Sequence, residues 1–420
     1  MSNKLLGLCR SIKEQIKGFK NRRSPAEIFV LAVSLSFAVY LIFYSFYGDA
    51  NFVDVFFIRC KDLFMDFFNS VRDASQGAAV YTERHVIYPP MANLIYLICS
   101  RFIPVTYNQS DWYNRLSWAD HTEAVFFIVV FTLALILICY TLLHEKLSGG
   151  RKTKFLFAFF AIFNIPMLYM IERGNMILFC MISLMVYAFT YNSPKGAYRE
   201  LGLIALAFAF SLKLYPAIFG WFLIADKRYK EAVRCAVYGI LMLVIPSFFF
   251  GGPACFVQIF YNITSFSSGT ELVNSISVLA GYSRIPAAIW NIGAYIWCAI
   301  GFTCFLASPF IHKERWKVWI LGISFILTLP ALTAIYVWAF FLIPIVFMSN
   351  SGKLKMKDWY IFTIILLLFV FTLFRFNHYL TVNSLLLYPM TAILSITAVT
   401  DTIVCGVRKY KKTRRSQIQS

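Results

Sequence analysis

Acidic side chains are scarce in this chain: 20 Asp and Glu stand against 39 Lys and Arg over 420 residues, with five histidines. No Cys-x-x-Cys pair and no Cys/His cluster occurs, so neither a disulfide framework nor a zinc site is indicated. The ten cysteines lie mostly inside apolar runs. No other cluster of ligating side chains demands a metal. The chain also lacks a glycine-rich loop of the kind that cradles nucleotide phosphates. There is no internal repeat between its halves and no soluble stretch large enough to stand apart. The first 24 residues are not a cleavable signal, because the apolar run behind them is long enough to stay as an anchor and no small-residue cleavage site follows.

What is abundant is apolar. The chain is 60% hydrophobic and 18% aromatic, against about 45–50% apolar residues in soluble proteins. Only 14% of residues are charged, and they gather between long apolar runs. The net charge of +19 could suggest a nucleic-acid partner. The basic residues instead form short juxtamembrane clusters, which the positive-inside rule explains without one.

Apolar runs near 27–47, 88–103, 124–144, 155–171, 175–191, 200–213, 215–225, 235–250, 287–308, 318–331, 332–349, 359–374 and 381–404 predict an all-α, polytopic integral membrane protein with 12 or 13 transmembrane helices. Basic clusters in 1–24, 145–154, 226–234, 312–317, 351–357 and after Cys405 place both termini in the cytoplasm. The opposite side then receives the external loop 48–87, the turn 172–175, the break 213–216, and residues 251–285 and 375–380. The run 88–103 begins outside, and 124–144 must begin outside as well. Either 88–103 is re-entrant, or 104–123 holds a second, partial crossing. The predicted units are a basic N-terminus (1–26), a transmembrane module (27–225), later transmembrane helices (226–404) and a basic tail (405–420).

Polar residues inside or beside these runs are the functional candidates, since a charge at bilayer depth costs roughly 2.5–3.5 kcal/mol. Lys213, in "SLKLYP", sits where a helix ends early at Pro216, and so faces a cavity open to the outer side. The loop 48–87 carries six acids against four bases, with phenylalanines at helical spacing. This predicts an amphipathic helix in the interface, with Asp62 and Asp66 on one face. "YPPMANL" begins a helix with Pro in its first turn. "IERGNM" puts Glu172 and Arg173 at a helix end, with Gly174 permitting a tight turn. Arg284, Arg375 and His378 lie on the outer side as well, and together with Arg173 and Lys213 they would build an anion site. The triplet Asn262-Ile263-Thr264 fits a glycosylation acceptor pattern on the same side.

Taken in order, "MDFF", "YPPMANL", "ERGN" and "LKLYP" resemble the GT-C superfamily of membrane glycosyltransferases. Within it the chain is similar to glycosyltransferase family 87, the polyprenyl-phosphate-mannose-dependent type, and to phage- and bacterium-encoded enzymes that glucosylate O-antigen in the periplasm. The likeness covers residues 27–225, and beyond them it lies in hydropathy and spacing. The resemblance implies that Asp66, in the Asp-Phe step upstream of Tyr-Pro-Pro, is the catalytic acid/base, with Asp62 as its rival. It places the family's lysine on Lys213, followed by Tyr215 and Pro216. Donor phosphate would be held by Lys213 and Arg173 with Arg284, Arg375 or His378. Tyr88, Glu172, Asn175 and Tyr215 would line the substrate.

The implied activity moves a hexose from a polyprenyl-phosphate sugar to a glycan or glycolipid hydroxyl outside a bacterial inner membrane. Inversion, no metal and no cofactor are expected. The implied partners are the bilayer, the lipid-linked sugar, the acceptor, and an upstream polyprenyl-phosphate-sugar synthase and flippase. Two alternatives are a flippase or transporter of a lipid-linked sugar or anion, and a glycan polymerase or ligase. Transporters commonly carry repeats, and polymerases a larger late external loop than 251–285.

Overall fold

The computed structural model describes residues 23–47, 64–103, 121–268, 286–328, 335–352, 354–371, 375–377 and 380–418. Helices dominate: α1 (Pro25–Tyr47), α2 (Met65–Ala74), α3 (Pro90–Cys99), α4 (Thr122–Lys146), α5 (Arg151–Ile162), α6 (Ile165–Arg173), α7 (Ile177–Thr190), α8 (Gly196–Leu212), α9 (Tyr229–Ser247), α10 (Cys255–Ser268), α11 (Ala287–Ile311), α12 (Arg315–Thr328), α13 (Leu342–Asn350), α14 (Met356–Leu367) and α15 (Val382–Ile418). Residues 375–381 depart from the all-helical expectation. There a short antiparallel pair forms, β1 (Arg375–Asn377) with β2 (Leu380–Thr381).

The all-α integral membrane architecture stands. Among the described residues, four helices are long and apolar enough to cross a membrane: α1, α4, α9 with its continuation to Phe250, and the Met390–Arg414 part of α15. A fifth is the bent pair α5 and α6. Run 287–308 lies in α11, an unbroken 25-residue helix, while several other runs fold into shorter pieces, because hydropathy registers apolar runs whether or not their backbone stays one helix. Run 215–225 becomes a 3-10 helix (Tyr215–Gly220) and one short helix, and run 332–349 becomes a 3-10 helix (Ile335–Phe341) followed by α13. Helix α3 has ten residues, about 15 Å at 1.5 Å per residue. At that length it cannot cross alone, which both alternatives for residues 88–123 allow. Residues 104–120 lie outside the described residues. Helix α15 runs on through residues 405–418 of the basic tail.

Faces follow from composition. Helices α4 and α9 leave Phe126, Leu137, Val233, Ile240 and Ile245 exposed, an apolar exterior that suits lipid. Inside, α7 packs on α8, α8 on α9, and α11 and α12 on α15, around one large apolar core.

The bend between α5 and α6, 50°, is held by a single polar side chain. Asn164 caps α6 by accepting from Met167 N at 3.2 Å, and its amide donates to Phe160 O at 2.9 Å and Ala161 O at 2.8 Å. A helix broken at membrane depth needs such a substitute for the lost backbone bonds. Pro166, in the first turn of α6, has no N–H to leave unsatisfied.

Helix α2 corrects the interfacial reading of the first external loop. Its apolar face does not lie on the membrane: Phe67 and Phe68 are fully buried, and Phe67 meets Tyr96, Phe127 and Phe131. An amphipathic pattern states that one face must be covered, and here α3 and α4 cover it. The glycosylation pattern is corrected too. Asn262 is 3% exposed, and its amide donates to Tyr81 O and Val86 O, pinning α10 to the segment before Tyr88.

Candidate active site

Three chain breaks meet at one end of the bundle: the start of α2, the turn between α6 and α7, and the break after α8. Each exists for a local reason. Asp66 lies in the first turn of α2, where the helix dipole favours a carboxylate. Helix α6 ends at Gly174, whose φ of +60° suits glycine. A Cβ there would come within 2.9 Å of Phe67 Cβ. The same turn is tied to α2 by Phe64 N donating to Glu172 O at 2.6 Å. Helix α8 stops at Leu212, and Lys213 turns to an extended conformation (φ −145°, ψ 130°) before the 3-10 helix that carries Pro216.

These breaks bring together a connected polar group inside an apolar wall. Arg173 forms an ion pair with Asp66 Oδ1. Asn175 Nδ2 donates to Asp66 Oδ2 and to the Tyr88 hydroxyl, both at 3.0 Å. The Lys213 ammonium lies 4.1 Å from the centre of the Tyr88 ring, a cation–π geometry. It also lies within electrostatic reach of Asp66 and Tyr336. Lys213 has no ion-pair partner among the described residues. Burial first, then the Asp66 carboxylate, push the Tyr88 phenol above its ordinary range, so Tyr88 acts here as a neutral hydroxyl and a ring.

Around this centre, Glu172 is buried and within electrostatic reach of Arg173. Tyr215 stands edge-on to Phe340 with centroids 6.3 Å apart. Behind Tyr88, Tyr81 donates to Tyr88 O at 3.1 Å and Asn93 donates to the Tyr81 hydroxyl at 2.9 Å. A narrow apolar crevice between α4 and α7 reaches Gly174 and Asn175.

Of the residues singled out in the sequence, Asp66, Tyr88, Glu172, Arg173, Asn175, Lys213 and Tyr215 thus fall at this one place. Asp62, Arg284 and His378 lie outside the described residues, and Arg375 is placed only by its backbone, in β1. Two members escaped the sequence reading. Tyr169 and Tyr336 stack with centroids 5.8 Å apart, near-parallel at 12°, and both lie within electrostatic reach of Arg173 and Asp66. Tyr169 precedes Arg173 by one helical turn, a spacing that marks a shared face. Tyr336 sits in an aromatic-rich run with no polar neighbour to mark it.

The arrangement pairs a carboxylate, able to take a proton, with two cations able to hold an anion. The described residues also bring His312, Asp401 and Cys405 within metal-ligand reach of one another. Both Asp401 oxygens there already accept from Lys317 and Lys357, at 2.9 and 2.8 Å, which leaves a poor cation site.

No curated protein and no solved structure matches the chain. The sequence model of glycosyltransferase family 87 matches residues 87–330, taking in the Tyr88, Arg173 and Lys213 segments and reaching past the first half into α12. Asp66 precedes the matched range, so its place rests on the geometry above. The chain belongs to glycosyltransferase family 87.

Proposed function

We propose that this glycosyltransferase moves a hexose from a polyprenyl-phosphate sugar to a hydroxyl of a cell-envelope glycan or glycolipid, with inversion at the anomeric carbon. The observation that carries the reading is the continuous link from Asp66 through Asn175 and Tyr88 to Lys213. It sets a proton acceptor and an unpaired cation on either side of one phenol.

In this reaction the acceptor hydroxyl attacks the anomeric carbon and gives its proton to Asp66. A carbon–oxygen bond to the acceptor forms as the bond to the phosphate oxygen breaks. The electron pair leaves with polyprenyl phosphate, whose developing charge Lys213 and Arg173 stabilise from fixed positions. The phosphate needs no proton to depart, so one carboxylate suffices. Base and leaving group on opposite faces of the sugar give inversion, by the logic of inverting sugar hydrolysis. Donor entry would draw Arg173 toward phosphate and free Asp66 to act as base. Asn175 then keeps the carboxylate aimed, and the stacked Tyr169 and Tyr336 offer an apolar face to a sugar ring.

On this reading the site opens outside a bacterial inner membrane, with both termini in the cytoplasm. A synthase and a flippase would supply the lipid-linked sugar. The test is incubation of purified protein with radiolabelled polyprenyl-phosphate glucose and mannose and candidate glycans. Label reaching a glycan from one donor is the expected result. No transfer from either donor, with transfer from a nucleotide sugar instead, overturns the donor class.

A further inference from the structure

Helix α7 begins at the candidate active site and has 14 residues, about 21 Å at 1.5 Å per residue. Tyr191, just beyond its far end, lies under Arg315, 5.3 Å from ring centre to guanidinium carbon. Arg315 also lines a cavity of about 710 Å³ between the end of α11 and the basic stretch of α15. This cavity therefore belongs to the opposite end of the bundle and is separate from the transferase site.

Its wall is strongly one-signed. Five of its lining residues are Lys or Arg, and none is acidic. Two of the five are already engaged: Arg315 pairs with Asp226, and Lys409 donates to Phe310 O at 2.7 Å. Lys313, Arg408 and Lys412 are exposed and have no ion-pair partner among the described residues. The nearby carboxylate of Asp401 is held by Lys317 and Lys357 and neutralises none of them. Arg408 and Lys412 are one helical turn apart, so they share a face of α15. Like charges gathered at a concave surface repel unless an anion comes between them.

The surroundings say which kind of anion. Phe310 lines the cavity itself and is 53% exposed, and the same face of α11 leaves Ile292 and Ile296 exposed behind it. Aliphatic groups, then an aromatic belt, then cations is the order met on passing from hydrocarbon to headgroup. A free anion would use the cations and leave the apolar rim bare, whereas a lipid uses both.

We propose that this cavity binds the phosphate headgroup of an anionic membrane lipid. Lys313, Arg408 and Lys412 hold the phosphate, and the acyl chains lie along Phe310 and the face of α11 that carries Ile296 and Ile292. This anchors the end of α15 to α11 at the bilayer surface.

The test uses delipidated, full-length protein in neutral detergent, titrated with phosphatidylglycerol, phosphatidylcholine or inorganic phosphate, with bound lipid counted by native mass spectrometry. Wild-type protein should retain phosphatidylglycerol and not phosphatidylcholine. A triple variant, Lys313→Gln with Arg408→Gln and Lys412→Gln, should bind it about a hundredfold more weakly, about fivefold for each cation removed. The charge-keeping variant K313R/R408K/K412R should bind as wild type does, which separates lost charge from lost fold. Undiminished phosphatidylglycerol binding by the neutralised variant overturns the site. Displacement of the lipid by an equal concentration of inorganic phosphate overturns the lipid as occupant.

Discussion

The two ends of the bundle handle charge differently. Around Tyr191, Asp226 and Asp401, charges are matched locally: Arg228 with Glu231, Arg315 with Asp226, and Lys317 with both Asp358 and Asp401. These pairs join α9 to its own first turn and α12 to α14 and α15, so they fasten helices. At the other end Arg173 and Asp66 also pair, but Lys213 has no ion-pair partner among the described residues and packs on the face of an aromatic ring. A half-buried cation without a counterion is costly in a scaffold. In an enzyme that holds an anionic leaving group, it is the group left ready for the ligand. The paired charges at one end fasten helices, and the unpaired lysine at the other is kept for chemistry.

Substitutions should break that comparison in opposite directions. The largest effect is expected from Asp66→Asn, which keeps the shape and the bond from Asn175 within reach but removes the base. Sugar transfer should fall on the order of 10²–10⁴-fold, with the thermal midpoint unchanged or raised. Near-normal turnover would remove Asp66 from the chemistry. Next is Lys213→Met, which keeps an unbranched stem over Tyr88. Loss of one fixed charge from the leaving group should lower kcat by roughly 10²–10³, again without loss of stability. A change confined to KM would mean that Lys213 only binds the donor.

The opposite end predicts the reverse. Lys317, with 7% of its side chain exposed, bridges Asp358 at 3.5 Å and Asp401 at 2.9 Å. Lys317→Met takes the ion-pair partner from the buried Asp358 and leaves Asp401 with Lys357 alone, and breaking a buried pair costs about 3 kcal/mol or more. The thermal midpoint should drop while kcat of the folded fraction holds. A fall in kcat at unchanged stability would show that the two ends are coupled.

The ends also differ in how far sequence discloses them. Lys213, Arg173 and the Tyr-Pro-Pro step stand out because a polar or helix-breaking residue in an apolar run is expensive, and its presence asks for a reason. Tyr169 and Tyr336 carry no such mark, because a tyrosine among phenylalanines looks like core until the neighbouring charges are seen. The burial of Phe67 and Phe68 was hidden for a related reason: an amphipathic period cannot say whether lipid or protein covers the apolar face. The bend at Asn164 did leave a trace, an amide two residues before Pro166. Hydropathy smooths such traces away, which is why runs 155–171 and 215–225 read as single segments where the backbone is broken.

The smallest and most discriminating effect concerns Gly174, where fold and site meet. Its φ of +60° disfavours any side chain, at about 1–2 kcal/mol for a residue with a Cβ. The added methyl of Gly174→Ala would also sit 2.9 Å from Phe67 Cβ, closer than real Cβ contacts permit. Phe67 is the neighbour of Asp66 and is locked among Tyr96, Phe127 and Phe131, so α2 can yield only as a unit. Moving α2 away from the turn separates Asp66 from Arg173 and Asn175, which sit on either side of Gly174. The variant should therefore lose transfer activity out of proportion to its modest loss of stability, with kcat falling more than KM rises. Parallel measurement of thermal midpoint and steady-state transfer checks this. Equal loss of both would mean that the turn serves only to hold α6 and α7 together, and that the position of Asp66 is set elsewhere.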